Sequence, residues 1–242
     1  MEVENHKLVA PNVKQMHCNK KSSLLPVTDT IVIHYTGGGN AMSSAQLLAR
    51  ADTSVSAHLV IARSGQILQL LPFNVKAWHA GYSSLEGRQN VNNFSIGIEL
   101  DNAGPLHRRG QGWFTWFNKQ IMPDEVFTTV EKGRASYWHS YPSVQIEALV
   151  EVCRVLKRNY PIRYIVGHSD ITSRKLDPGP AFPWERFHDL LKVIFGIFLG
   201  IVCFASFQGL SFSYICSLSF SLRCRYLFVS MEGSFGDSMT RR

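Results

Sequence analysis

The sequence predicts an α/β domain followed by an apolar C-terminal tail. Short runs rich in β-branched residues, such as Thr30–Tyr35, alternate with segments of helical periodicity, such as residues 146–156. The 242 residues suffice for one domain of ordinary size plus an appendage. No Asp, Glu, Lys or Arg occurs from Val193 to Leu222, although charges are frequent before that point. We therefore expect the domain over residues 29–192.

The first predicted elements are a strand and a short helix. Residues 1–28 are expected to be an irregular N-terminal segment, since they contain Pro11 and Pro26 and show no clear pattern. Thr30–Tyr35 has the composition of a buried strand, which Gly37-Gly38-Gly39 ends. Ser43 or Ser44 is a candidate cap for a helix that follows.

The middle of the chain predicts further strands. Residues 56–63 and 66–71 flank Ser64-Gly65, which is typical of a two-residue hairpin turn. Another strand is expected over Phe94–Leu100. Residues 101–140 contain many aromatic residues and glycines but little periodicity, and we expect a long surface excursion that is functional or partly structured.

The last third of the domain predicts helix, strand, helix. Apolar residues recur at helical spacing after Ser143, a candidate cap, and Pro161 lies beyond the helix end. Residues 163–168 form a strand pattern. Pro183 is placed to begin a closing helix, because proline is favoured in a first helical turn.

Charge and cysteine content limit the classes of function. The formal net charge of +7 favours an anionic partner or simply maintains solubility. No basic run with interleaved aromatic residues occurs, so no nucleic-acid partner is expected. The five cysteines are widely spaced, without a C-x-x-C pair, which predicts neither a disulfide framework nor a zinc ribbon and suits a reducing compartment.

Two histidines stand at the ends of predicted strands, where a sheet can direct side chains into a shared cleft. His34 precedes a glycine-rich loop and His168 precedes Ser-Asp-Ile. Neutral imidazoles suit zinc, which in catalytic sites takes about three protein ligands and leaves a position open. Asp177, held among three prolines and a glycine, is a candidate third ligand, with Asp170 as a rival. Spacing alone leaves structural histidines and a turn-forming aspartate as alternatives.

Six segments, in this order, resemble the N-acetylmuramoyl-L-alanine amidases of the AmpD type. The resemblance runs from about Ile31 to Trp184 and therefore covers nearly all of the predicted domain. The segments are Ile31–His34, Val55–His58, Ala77–Gly81, Phe94–Glu99, Gly167–Ile171 and Arg174–Phe182.

The resemblance implies a fold, a cofactor and an activity. The implied fold is a mixed central β-sheet flanked by helices, shared with the peptidoglycan-recognition proteins. His34, His168 and Asp177 match the family's Zn²⁺ ligands. Glu99 matches the carboxylate that helps to activate water, and Lys175 matches the cation that faces the tetrahedral intermediate. The implied enzyme hydrolyses the amide bond between N-acetylmuramic acid and L-alanine in peptidoglycan or muropeptides.

Four further residues are expected to contact substrate. Trp78 and His79 line the implied groove, where an indole offers a broad apolar face to a sugar, although Trp78 also suits a core position. Arg174 can bind a stem-peptide carboxylate through its planar guanidinium. Tyr35 follows the first ligand where the AmpD enzyme can have asparagine. The long segment 104–141 leaves the choice between anhydro-muropeptides and intact wall open.

The tail and the cellular address stay open. Residues 193–222 include a strongly apolar run, and a bilayer needs about 20 such residues. A membrane anchor, a helix packed on the domain and an adventitious extension all fit this segment, and residues 223–242 form a polar tail. The polar N-terminus resembles no secretory signal, so a cytoplasmic protein is expected, membrane-associated if residues 193–222 are an anchor. Oligomeric state is not predicted.

Two other classes of function compete with the enzyme. A wall-recognition module on the same fold would bind fragments without turnover, although an open metal site would then have no purpose. A membrane-tethered lytic protein of phage or prophage origin would act only on intact wall.

Overall fold

The structure is a computed structural model that describes residues 1–20 and 22–193. Its strands, in chain order, are β1 (Glu2–Glu4), β2 (Lys7–Val9), β3 (Val13–Gln15), β4 (Thr30–Tyr35), β5 (Leu59–Ile61), β6 (Ile67–Gln69), β7 (Ser84–Leu85), β8 (Arg88–Gln89), β9 (Ser95–Leu100), β10 (Pro105–Arg109), β11 (Gly112–Phe114), β12 (Gln120–Ile121), β13 (Val126–Glu131), β14 (Arg134–His139) and β15 (Tyr164–Gly167). The helices are α1 (Ala41–Ala49), α2 (Ser143–Asn159), α3 (His168–Ile171) and α4 (184–193).

A six-stranded mixed sheet forms the centre, in the order β15-β4-β9-β5-β6-β3. The first four strands are parallel, β6 runs antiparallel to β5, and β3 runs parallel to β6. One face packs Ile31, Ile33, Ile96 and Ile98 against α2, while α1 packs against Val60 and Leu68. The predicted mixed central sheet flanked by helices is confirmed.

Both helix caps differ from the expected ones. Asn40, and not Ser43 or Ser44, caps α1, because its side-chain oxygen accepts a hydrogen bond from the Ser43 amide at 2.9 Å. Ser143 is the first residue of α2 rather than its cap, and Pro142 occupies the cap position without a side-chain bond. The extended backbone that proline favours begins this helix without a capping side chain.

The N-terminal segment is more regular than expected. Strands β1 and β2 form a hairpin that buries Leu8, and β3 joins the edge of the central sheet. The expectation that residues 1–28 are irregular is therefore wrong for their first half. Strands of three residues are too short to show a period, and their pairing depends on contacts distant in sequence, such as β3 with β6.

Residues 101–140 do not form a simple excursion but build a second sheet. Its five strands are ordered β12-β11-β10-β14-β13, and all neighbouring pairs are antiparallel. The longest pair, β13 with β14, is mostly exposed on both faces, which explains why the segment lacks the alternation of a half-buried strand.

The end of the described chain confirms the closing helix. Residues 184–193 are helical, with Phe187 fully buried among the core side chains. The rest of the predicted apolar segment, 194–222, and the polar tail, 223–242, lie outside the described residues. Within the described part of the chain, no helix combines the length and the apolar character needed to cross a membrane.

Candidate metal centre and cleft

Three adjacent parallel strands bring polar side chains to one edge of the central sheet. Strands β4 and β9 pair in a register that sets His34 beside Glu99. Strand β15 pairs Gly167 with Ile33, so that His168 follows at the level of His34. Because parallel strands end at the same edge of a sheet, residues far apart in sequence meet there.

Asp177 reaches the same point from the loop after α3. Its Oδ2 atom lies 2.8 Å from Nδ1 of His34 and 2.9 Å from Nδ1 of His168. The two Nδ1 atoms are 3.0 Å apart, and all three residues are buried. The structure thus brings together the three residues predicted as metal ligands, as a group that could hold an ion. The rival Asp170 is not a member of this group, and its Oδ2 instead accepts a hydrogen bond from the Gly167 amide at 2.7 Å.

Hydrogen-bond partners determine which nitrogen of His168 carries a proton. Its Nε2 lies 3.3 Å from the carbonyl oxygen of Ala80, and a carbonyl only accepts. The neutral ring therefore carries its hydrogen on Nε2, which leaves Nδ1 with a free lone pair directed at Asp177.

A longer chain of bonds fixes His34 in the same way. The Ser95 hydroxyl donates to the Val91 carbonyl at 2.7 Å, so it accepts from Nε2 of His79 at 3.1 Å. Nδ1 of His79 is then an acceptor, and it receives the hydrogen of His34 Nε2 at 3.0 Å. Nδ1 of His34 is consequently a bare acceptor as well.

When both rings are neutral, these tautomers place three acceptors within 3.0 Å of one another and supply no hydrogen between them. Burial, followed by the neighbouring His168 and Lys175, lowers the pKa of His34, although contact with Asp177 opposes the shift, so its ring favours the neutral form. A cation at the centre satisfies all three lone pairs. Two imidazoles and one carboxylate, with room left for water, are a donor set that suits zinc.

Glu99 and Lys175 face the same cavity as the three acceptors. Oε2 of Glu99 is buried and makes no hydrogen bond with the residues that the structure describes. Burial, reinforced by the negative charge of Asp177, raises the pKa of Glu99 well above its usual range, whereas Lys175 opposes the shift. A carboxyl group in this setting has a high affinity for a proton, as a general base in an amide hydrolysis requires.

The cavity has a volume of about 560 Å³, and the four predicted substrate contacts lie along it. Trp78 is 45% exposed, with the Lys76 ammonium 3.9 Å from its ring centroid. The guanidinium of Arg174 donates to the Tyr82 carbonyl at 2.8 Å.

Burial raises the pKa of Tyr35 to about 12. His79 is buried, and its ring nitrogens bond His34 and Ser95. Contact of these four residues with substrate stays a prediction.

Sequence reasoning missed two residues of this site. Ser95 supports His79 from within a buried strand, and only its polarity among apolar neighbours could have signalled a role. Trp116 lies at the cavity from a segment whose structure was not predicted. His79 was predicted as a substrate contact, but its direct bond to the candidate ligand His34 was not predicted.

Comparison with known proteins identifies relatives of the same kind. AmpD of Escherichia coli K12, a 1,6-anhydro-N-acetylmuramyl-L-alanine amidase, is 37% identical over 145 residues, which cover 59% of this chain and 61% of AmpD. The N-acetylmuramoyl-L-alanine amidase AmiD of the same organism is 32% identical over 171 residues, covering 66% of this chain and 52% of AmiD. The chain thus spans about 60% of the length of the curated AmpD relatives that it matches.

Solved structures agree with the sequence matches. A crystal structure of a selenomethionine derivative of AmpD superposes with a TM-score of 0.58 at 27% identity, covering 79% of this chain and all of that one. AmiD from E. coli, solved with its substrate anhydro-N-acetylmuramic acid-L-Ala-D-γ-Glu-L-Lys, gives a TM-score of 0.53 at 30% identity, covering 71% of this chain and 60% of AmiD. The family model of N-acetylmuramoyl-L-alanine amidases matches residues 24–180, more than half of the sequence. The chain therefore belongs to the N-acetylmuramoyl-L-alanine amidase family.

Proposed function

We propose that the chain is a zinc-dependent N-acetylmuramoyl-L-alanine amidase, which hydrolyses the amide bond between N-acetylmuramic acid and L-alanine in peptidoglycan or muropeptides. The observation that carries the proposal is the convergence of polar atoms from His34, His168 and Asp177 beside Oε2 of Glu99, which bonds no residue in the described part of the chain. Family membership and the substrate held by AmiD support the choice of amide.

The residues of the cleft divide the chemistry among them. Zinc, when bound, would polarise the carbonyl group of the substrate and lower the pKa of the attacking water to about 7. Glu99 takes the proton of the attacking water and passes it to the nitrogen of L-alanine as the carbon–nitrogen bond breaks. The Lys175 ammonium offsets the negative charge that develops on the carbonyl oxygen. The products are the muramic acid carboxylate and a stem peptide with a free amino group.

The remaining predicted contacts give the substrate its orientation. Arg174 and Lys175 also line an adjoining cavity of about 450 Å³, and none of the described residues that line it is acidic. Two cations there suit the carboxylates of a stem peptide, and the partly exposed indole of Trp78 suits the muramic acid ring. A peptidoglycan fragment is therefore the proposed partner, and nucleic acid is not.

Product analysis tests the proposal. The purified full-length chain is incubated with anhydro-N-acetylmuramyl tripeptide and, in parallel, with intact sacculi, and products are identified by mass spectrometry. We expect stem peptides with free L-alanine amino groups, lost after chelation and restored by zinc. A protein that binds one zinc per chain and releases peptide from neither substrate would refute the proposal. Glu99→Ala distinguishes a wall-recognition module, which would have no turnover to lose.

A further inference from the structure

The turn between β11 and β12 places an exposed tryptophan at the metal cleft. Trp116 is 67% exposed and lines the same cavity as the three candidate ligands. Its indole N–H donates to the carbonyl of Gly37 at 2.7 Å, three residues after His34. The ring therefore has its polar group satisfied by the protein, and much of its apolar surface faces solvent at the cleft. A ligand that covers this face removes apolar surface from water, which favours binding.

The second sheet, β10–β14, packs closely on residues beside the candidate metal ligands. A Cβ atom at Gly104 would lie 2.8 Å from the ring of Tyr35, and one at Gly179 would lie 2.7 Å from the ring of Trp138. Just after β14, the Tyr141 hydroxyl donates to the Pro178 carbonyl at 2.7 Å, beside Asp177. The second sheet therefore packs closely on Tyr35 and on the loop that carries Asp177, and the bond to Gly37 ties the Trp116 ring to the loop after His34.

Trp116 lines one of the two cavities that Arg174 and Lys175 line. The cavity of the three candidate ligands contains all three side chains, whereas the adjoining cavity contains the two cations without Trp116 and suits carboxylates. Trp116 bonds the uncharged backbone of Gly37 and packs edge-on against the ring of Phe117. An exposed indole face with these neighbours suits a neutral sugar ring better than an ionised peptide.

We propose that Trp116 binds a sugar ring of the glycan beyond the muramic acid whose amide is cleaved, and thereby selects substrates with more than one sugar. This inference rests on the proposed amidase function. It assigns a specificity-determining role to the second sheet, whose strands supply none of the residues that we place in the chemistry.

The test compares two substrates and three variants of the full chain. The substrates are anhydro-N-acetylmuramyl tripeptide, which has one sugar, and a tetrasaccharide carrying the same peptide. We expect Trp116→Ala to lower kcat/KM for the tetrasaccharide about tenfold and for the single sugar by less than about twofold, as loss of one aromatic contact predicts. Trp116→Phe keeps a ring without the N–H and should lose less. Met122→Ala is the control, because Met122 is 63% exposed, follows β12, and does not line the cavity.

The possible results separate the inference from the proposed function. Equal losses on both substrates would show that Trp116 only supports the Gly37 loop, and no loss on either would also overturn the inference, while wild-type turnover would keep the amidase proposal intact. If the wild type cleaves neither substrate, the amidase proposal fails. Calorimetric binding of a peptide-free tetrasaccharide then decides: weaker binding by Trp116→Ala than by Met122→Ala supports the sugar contact, and equal binding overturns it.

Discussion

At the scale of single residues, His79 lies between the candidate ligand His34 and the buried Ser95 hydroxyl. The bonds on either side, of 3.0 and 3.1 Å, determine which nitrogen of His34 has a free lone pair. Partners of this kind hold a metal-binding imidazole in the correct tautomer and raise its basicity. His79 is therefore placed to tune the metal affinity that we propose for His34, in addition to the substrate contact predicted for it.

We expect His79→Ala to weaken zinc binding about 10- to 100-fold, because His34 Nε2 loses its acceptor. In His79→Asn the amide oxygen stands near the original Nδ1 position, and affinity should recover most of this loss. Competition with a chromophoric chelator measures both. Unchanged affinity in His79→Ala would show that His34 needs no such partner. His107→Ala, on exposed β10, is the control.

Glu99 is expected to serve turnover without serving metal binding. Glu99→Gln keeps the shape of the side chain but cannot accept the proton of water, so kcat should fall by about 10²- to 10⁴-fold. Zinc affinity should stay within about twofold of the wild type, since the ligands are His34, His168 and Asp177 in the proposal. Steady-state kinetics and zinc titration of one preparation give the two values. Loss of zinc together with activity would make Glu99 a ligand instead.

The candidate site was only partly accessible from sequence at this scale. Strand-end histidines suggested a cleft, but the pairing of His34 with His168 and Asp177 came from family resemblance, because 134 residues separate the two histidines. The bond from His79 to Ser95 depends on where the His79 ring lies against β9, and the local sequence pattern does not predict that position.

At the level of secondary structure, the sequence of β9 leaves space for the His79 ring, which packs against Gly97. An added Cβ at Gly97 would lie within 2.7 Å of three atoms of the His79 ring. Gly97 and Glu99 share the face of β9 that looks toward the site, so the strand alternates a glycine that admits His79 with the catalytic candidate. The absence of a side chain at Gly97 lets His79 reach His34.

Gly97→Ala should therefore lower the free energy of unfolding by about 1–3 kcal/mol, because the new methyl group must displace a buried ring. It should also weaken zinc binding, since His79 moves. Gly39→Ala is the matched control, because a Cβ there meets nothing within 4 Å, and its effect should stay within about 0.5 kcal/mol. Urea denaturation of both variants measures the difference. Equal stabilities would contradict the close packing of Gly97 on His79.

Elements with a strong local signal were predicted well, and elements that depend on distant pairing were not. Strand β4 has the predicted bounds, and β9 begins one residue late, because both are continuous buried runs. The second sheet was missed since β11 and β12 have three and two residues and β13 is largely exposed. Such strands form because their partners are near in space, and sequence periodicity does not report that.

At the scale of the whole molecule, buried neutral histidines connect stability to pH. Burial lowers the pKa of His58 to about 4, although the Val75 carbonyl, which accepts from its ring, opposes the shift. In an unfolded chain the pKa of histidine is about 6.5. Between these values the unfolded chain binds a proton that the folded chain excludes, so stability falls as the pH drops. Above pH ~6.5 the contribution is fully present.

The metal-free protein should lose up to about 3 kcal/mol of unfolding free energy from His58 alone between pH ~6.5 and ~4. Burial also lowers the pKa of His79 and His34, which adds loss in the same direction. Urea unfolding across this range measures the slope. His58→Gln cannot titrate and should show a smaller slope even if it is less stable throughout. An identical slope in the variant would mean that His58 titrates normally in the folded state.

In the proposed function, one zinc ion held by His34, His168 and Asp177 makes this fold an amidase. The most direct measurement adds zinc stepwise to the metal-free chain and follows peptide release from anhydro-N-acetylmuramyl tripeptide. We predict that the rate rises linearly, stops rising at one zinc per chain, and stays near zero for Asp177→Ala at the same zinc concentrations. Full activity of the metal-free chain, or saturation with zinc and no peptide release, would refute a zinc-dependent amidase.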